Sequence, residues 1–176
     1  MKTQQGFTLI EMVVVITMMA ILSASAIPRF LGMEEAAKAI VVETVATNFQ
    51  ASVQLSRIKY HTTGLRGGAQ DLRLWGNNEN TLGLIDINPN GYPSKHSLGG
   101  SGSLHTQNKA DCQSLWEALL ETNLVIGDNP DSADYLAEFQ SPALCLYKLH
   151  EDPALFFTYN THHGKVVFTD NRKNNG

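Results

Sequence analysis

From Phe7 to Ile27 the chain is an almost unbroken apolar run that carries one charge, Glu11. A segment of about 21 residues spans roughly 31 Å as a helix, the thickness of a bilayer core. An unpaired carboxylate costs several kcal/mol in such surroundings, so Glu11 needs a partner. Past Pro28 the pattern changes. Apolar residues recur at Val42, Val45, Phe49 and Val53, while Lys38, Glu43, Asn48, Gln50 and Gln54 take the other side. That spacing predicts an amphipathic helix with one buried stripe. Arg57-Ile58-Lys59-Tyr60-His61 supplies a cationic last turn, and Gly64 a stop. Residues 7–61 therefore read as one helix of about 55 residues, roughly 80 Å long, kinked at Pro28.

The rest, 62–176, reads as a globular α+β head. Alternation at 82–87 predicts a strand, ended by the turn Asn88-Pro89-Asn90-Gly91-Tyr92-Pro93. Residues 98–103 form a Gly/Ser loop. A short helix is expected over 110–121, with Cys112, Leu115, Trp116, Leu119 and Leu120 on one face and Asp111 near its start. Strands are expected at 143–150, 155–160 and 165–169, the last two as a hairpin through His162-His163-Gly164. Such a sheet would lay one face on the amphipathic part of the long helix. The polar tail 171–176 is expected to fray.

Composition adds two points. The net charge of −4, without any Lys/Arg run, shows no dedicated nucleic-acid footprint. The two cysteines, Cys112 and Cys145, read as a disulfide if this part of the chain is exported, and as two buried thiols otherwise. A link would close a loop of about 34 residues, with a chain-entropy value of roughly 3–4 kcal/mol.

Export has two readings. A removable signal peptide would use Ala24 to Ala26 as its cleavage site, but leaves Glu11 inside the apolar core without a purpose. A retained membrane helix fits the length better. Here the residues resemble a known family. Gly6-Phe7-Thr8-Leu9-Ile10-Glu11, behind a short leader with Lys2, is similar to the processing site of type IV pilins and pseudopilins. The resemblance is specific over residues 1–30 and weak beyond. It implies that a prepilin peptidase cuts between Gly6 and Phe7, that the Phe7 amine is N-methylated, and that Glu11 pairs with the N-terminal amine of a neighbouring subunit. Glycine suits the cut because it leaves the backbone sterically open. A buried pair offsets much of the cost of each charge; the alternative for Glu11 is an acid complementing the helix dipole.

The implied fold is the type IV pilin fold: α+β, a long kinked helix on a small antiparallel sheet. The implied organisation is a leader at 1–6, a transmembrane or filament-core helix at 7–30, the amphipathic half at 31–61 and the head at 62–176. Asn90-Gly91-Tyr92-Pro93 resembles a turn in minor pilins of the mannose-sensitive haemagglutinin pilus. The implied role is a structural subunit, expected to be a minor one, inserted once in the inner membrane and then polymerised into an extracellular pilus or periplasmic filament. Its implied partners are other pilin subunits, the peptidase and the inner-membrane assembly platform. The alternatives are a type II secretion pseudopilin, and a tip adhesin or DNA-uptake pilin whose ligand would bind on the loops at 64–81 and 94–109.

Other groupings were weaker. His162 and His163 are adjacent but lack a third ligand at metal spacing. Asp128, Asn129, Asp131 and Asp134 suggest calcium, but Pro130 and Ser132 break the EF-hand pattern. Trp75 with Arg66 and Arg73 reads as a core aromatic flanked by charges rather than a binding patch. No nucleophile–base pair, phosphate loop or zinc motif is visible. Neither catalysis nor a cofactor is expected.

Overall fold

The computed structural model describes residues 6–74, 83–96 and 102–174, excluding the side chains of 28–31 and 173–174. The chain divides into two compact units, Met1–Ile40 and Val41–Gly176. The helix α1 runs from Leu9 to Thr62, as the pattern predicts. The expected kink at Pro28 lies outside the described side chains.

In the first unit, Leu9–Ile27 is long and apolar enough to cross a membrane, and none of it is buried. In the second unit the picture reverses. Val42, Val45, Phe49, Val53, Ser56 and Tyr60 are buried, each three or four residues from the last, and Ala46 is buried beside them, so they form one stripe. Phe49 sits at its centre, with ring centroids 5.2–5.6 Å from Tyr159, Tyr147 and Phe157.

Those three rings belong to a four-stranded antiparallel sheet in sequential order, β4 (Tyr135–Gln140), β5 (Leu144–Leu149), β6 (Leu155–Asn160) and β7 (Lys165–Asp170). The register Ala137–Tyr147–Phe157–Phe168 shows the period-two logic: Tyr135, Ala137, Cys145, Tyr147, Leu155, Phe157 and Tyr159 are all buried. A smaller antiparallel sheet comprises β1 (Ala69–Arg73), β2 (Leu84–Ile87) and β3 (Pro93–Lys95). The architecture is α+β, in agreement with the pilin fold.

The second helix, α2, spans Lys109–Leu119. Asn108 is its N-cap: the side chain accepts from the Asp111 N–H at 3.0 Å, and Asp111 accepts from the Gln107 N–H at 2.7 Å. The cap satisfies one orphan donor of the first turn, and Asp111 ties down the residue before the cap. Three contacts fasten α2 to the sheet. Cys112 and Cys145 are joined as a disulfide. The Tyr147 hydroxyl donates to the Cys112 carbonyl at 2.8 Å. Trp116 lies 4.7 Å from Tyr135 and 5.5 Å from Tyr147 between ring centroids.

Several expectations need correction. β1, β3 and β4 lie where only loops or unassigned chain were expected. Residues 171–174, expected to fray, form a short 3₁₀ helix. Arg172 holds it by donating to both oxygens of Asp170 and pairing with Asp152 at 3.4 Å. Trp75, Leu82 and the core of the Gly/Ser loop lie outside the described residues.

The turn between β2 and β3 joins the two sheets. Asn88 is fully buried. Its Oδ1 accepts from the Asn90 and Tyr92 N–H groups, and its Nδ2 donates to the Thr161 carbonyl at 2.7 Å. Tyr159 donates to the Pro93 carbonyl at 2.8 Å. Tyr92 packs so closely on Gly164, whose φ is +66°, that an added Cβ would enter the ring. Only glycine fits there.

Candidate processing and assembly segment

Gly6 and Phe7 precede the helix in irregular backbone, and both are exposed. What keeps their bond out of α1 is the residue pair behind it. The Thr8 N–H and the Thr8 hydroxyl both donate to Glu11 Oε2 at 2.9 Å, and the Glu11 N–H donates to Thr8 Oγ1 at 3.3 Å. This is a capping box, with threonine at the N-cap and glutamate three residues on. It satisfies orphan N–H groups and starts the helix at Leu9. The box leaves the Gly6–Phe7 bond outside the helix and exposed.

Glu11 was expected to pair with a neighbour's amine or to complement the helix dipole. It also bonds Thr8 within its own chain, a role those expectations did not include. The signal was present, because Thr8-x-x-Glu11 is itself the capping-box pattern. The carboxylate still has capacity. The bonds from Thr8 end on Oε2, and an ionised carboxylate offers about four acceptor sites over two oxygens. Glu11 can therefore start its own helix and accept a further donor at once. Around it, Phe7, Leu9 and Ile10 are at least 70 % exposed, so the apolar surface for a neighbour is already displayed.

The other sequence candidates fall elsewhere. His162 and His163 occupy the β6–β7 turn, where the His162 ring meets His105 edge-on at 5.9 Å. Among the described residues no group of three His, Cys, Asp or Glu side chains is placed to hold a metal ion. Two carboxylates of the 128–134 loop are spent on local structure: Asp128 pairs with Lys109, and Asp134 accepts from the Val125 N–H at 2.7 Å. Asn129 Oδ1 accepts from the Asp131 N–H, an Asx turn. Arg66 lines a hollow with Tyr60, His61 and Asn90, while the aromatic proposed beside it, Trp75, lies outside the described residues.

Comparison with known families gives one match. Residues 1–27 fit the model of the prokaryotic N-terminal methylation motif. That match supports a type IV pilin-like or pseudopilin protein, and the motif implies processing by prepilin peptidase and assembly with other pilins. Together with the apolar helix, it is consistent with membrane anchoring before assembly. No curated protein and no solved structure matches the chain.

Proposed function

We propose that this protein is a filament subunit. It is cut between Gly6 and Phe7, methylated on the Phe7 amine, and polymerised through α1, with Glu11 receiving a neighbour's N-terminal amine. The observation that carries this reading is the contrast along α1. The chain covers the 42–60 stripe with its own sheet but leaves Leu9–Ile27 bare. Val41, Leu55 and Ile58 are more than half exposed. Apolar surface of this extent calls for lipid or neighbouring helices. The Gly6 cut creates the amine, and the unused Glu11 oxygen accepts it. The carboxylate prefers a paired site between subunits to an unpaired one in lipid.

A minor position, and an assignment to the mannose-sensitive haemagglutinin type, rest on the four residues Asn90–Pro93 alone. Those residues are engaged in joining the two sheets, which gives their presence a structural reason. A type II secretion pseudopilin fits the processing segment equally well. The head's role in adhesion is a further proposal, for which the hollow beside Arg66 and His61 is the natural place. Intact-mass measurement of the mature chain tests the core of the reading. Loss of residues 1–6 with gain of one methyl is expected; a cut after Ala26 would sink it.

A further inference from the structure

We infer that the hollow at the C-terminal end of α1 binds an acidic sugar and holds its carboxylate on Arg66. The inference rests on the adhesion role raised above, for which it names a ligand class, and does not depend on polymerisation. Tyr60, His61, Leu65, Arg66, Gly67 and Pro89 line the hollow, whose volume is about 440 Å³, within the range of small-molecule sites. Its walls are fixed. Tyr60 is buried, and its hydroxyl accepts from the Gly68 N–H at 3.0 Å. Asn90, also in the lining, donates its N–H to Asn88 at 2.9 Å and its side-chain amide to the His162 carbonyl at 3.3 Å. His61 Nε2 accepts from Arg57 Nε at 3.4 Å, and the Arg57 guanidinium is itself held 4.5 Å from the Tyr92 ring centroid. Prearranged walls lower the ordering cost of binding.

The donors of this hollow suit an anion. Its lining comes from within 51–70 and 87–110, and neither stretch contains an aspartate or glutamate, although the whole chain carries a net charge of −4. Arg66 is exposed, and among the described residues its guanidinium has no ion-pair partner. The Arg66 and Gly67 N–H groups make no hydrogen bond among the described residues either, and Gly67 stands at φ +80°. Successive main-chain N–H groups at such left-handed turns form anion-binding concavities. With Nε2 accepting, neutral His61 carries its proton on Nδ1, which is a further donor. A guanidinium offers paired N–H groups that match both oxygens of a carboxylate.

The rest of the lining favours a sugar acid over other oxyanions. Leu65 is half exposed and Pro89 exposed, so apolar surface flanks the donors and can take the C–H face of a sugar ring. A free phosphate would satisfy Arg66 and the N–H groups but leave that flank uncovered. A nucleic acid calls for a stripe of cations along its backbone. Of the cations nearest in sequence, Arg57 is held on Tyr92 and Lys59 is exposed but outside the lining.

The test is an NMR titration of the full-length chain in neutral detergent, with glucuronate, methyl glucoside, inorganic phosphate and a short DNA duplex as probes. Glucuronate should bind about tenfold or more tighter than methyl glucoside, and Arg66→Gln should remove about tenfold of its affinity, the worth of one charge-assisted hydrogen bond. Near-ultraviolet circular dichroism of Arg66→Gln should match that of the parent, since the side chain is exposed. Lys59→Gln should bind glucuronate as the parent does. Equal binding of the acidic and neutral sugars would overturn the inference, as would phosphate or DNA binding tighter than glucuronate, or no binding of any probe. A loss in Lys59→Gln as large as in Arg66→Gln would also sink it, because general charge and not the hollow would then be at work. The adhesion reading is scored apart from this, by attachment of cells with and without the chain to surfaces coated with neutral or acidic sugars. Attachment that needs the chain but is unmoved by Arg66→Gln would leave adhesion standing and remove this site alone.

Discussion

The two halves of α1 solve the same problem in different ways. From Leu9 to Ile27 the helix is apolar on every side, and none of it is covered by its own chain. From Val42 to Tyr60 one apolar stripe is buried, with Phe49 against the rings of β5 and β6, while Leu55 and Ile58 stay exposed. A helix that is apolar all round must find cover outside its own fold, whereas a one-sided helix is covered from within. The breadth of the apolar face thus tells where the partner comes from. It also separates the two kinds of damage a substitution can do.

The sharpest way to break the comparison is Glu11→Ala. In the first half, the partner of this carboxylate among the described residues is Thr8, so fold and membrane insertion should survive while incorporation into filaments is lost. Sheared-filament yield beside membrane fractionation checks it; normal incorporation would mean that Glu11 only caps the helix. Phe49→Ala should do the converse. The ring is fully buried among three aromatics, and its removal is expected to cost about 3–5 kcal/mol. Denaturant unfolding of the chain in detergent should show the loss, and a change under 1 kcal/mol would mean that the stripe is not the core.

The smallest effect concerns pH. Burial pushes the Tyr135 hydroxyl up to about 12, with Asp134 adding to the shift. Burial also raises Tyr147 and Tyr159 well above the ordinary tyrosine value. The folded head holds these protons more tightly than the unfolded chain does. The stability so contributed is full below about pH 10, where unfolded tyrosine begins to ionise, and falls as pH rises through 12. Ultraviolet titration should show these three tyrosinates appearing late and together with unfolding. Early ionisation, near pH 10, would show that the rings are wet.

Much of this division was legible in the residues. The 42–53 spacing foretold the buried stripe, and runs rich in Leu, Phe, Tyr and Val located β5, β6 and β7 within a residue or two. The strands that escaped notice lack such signals. β3 is three residues long and begins with proline. β1 contains a register shift and an aspartate, Asp71, at φ 50°. β4 follows directly on an acidic turn that masks the Tyr135–Ala137–Phe139 alternation. The joint between the sheets was unreadable for another reason: Asn88 bonds to Thr161, 73 residues away, and no local pattern announces so distant a partner. At the processing segment, Gly6, Phe7 and Glu11 were recognised while Thr8 was passed over.

One detail of the large sheet bears on which contacts between copies are open to this chain. Its outer strands are β4 and β7, the rims at which a foreign strand would add. Along β7, the Gln50 side chain takes the Val166 N–H at 2.8 Å and donates to the Gly164 carbonyl at 3.1 Å, filling the place of an incoming strand. Along β4, the segment 125–127 bonds to both main-chain groups of Tyr135. Both rims are thus blunted at one end, and growth by strand addition is disfavoured. The amyloid-like route is obstructed at both rims, in keeping with the proposal that copies join through α1 instead.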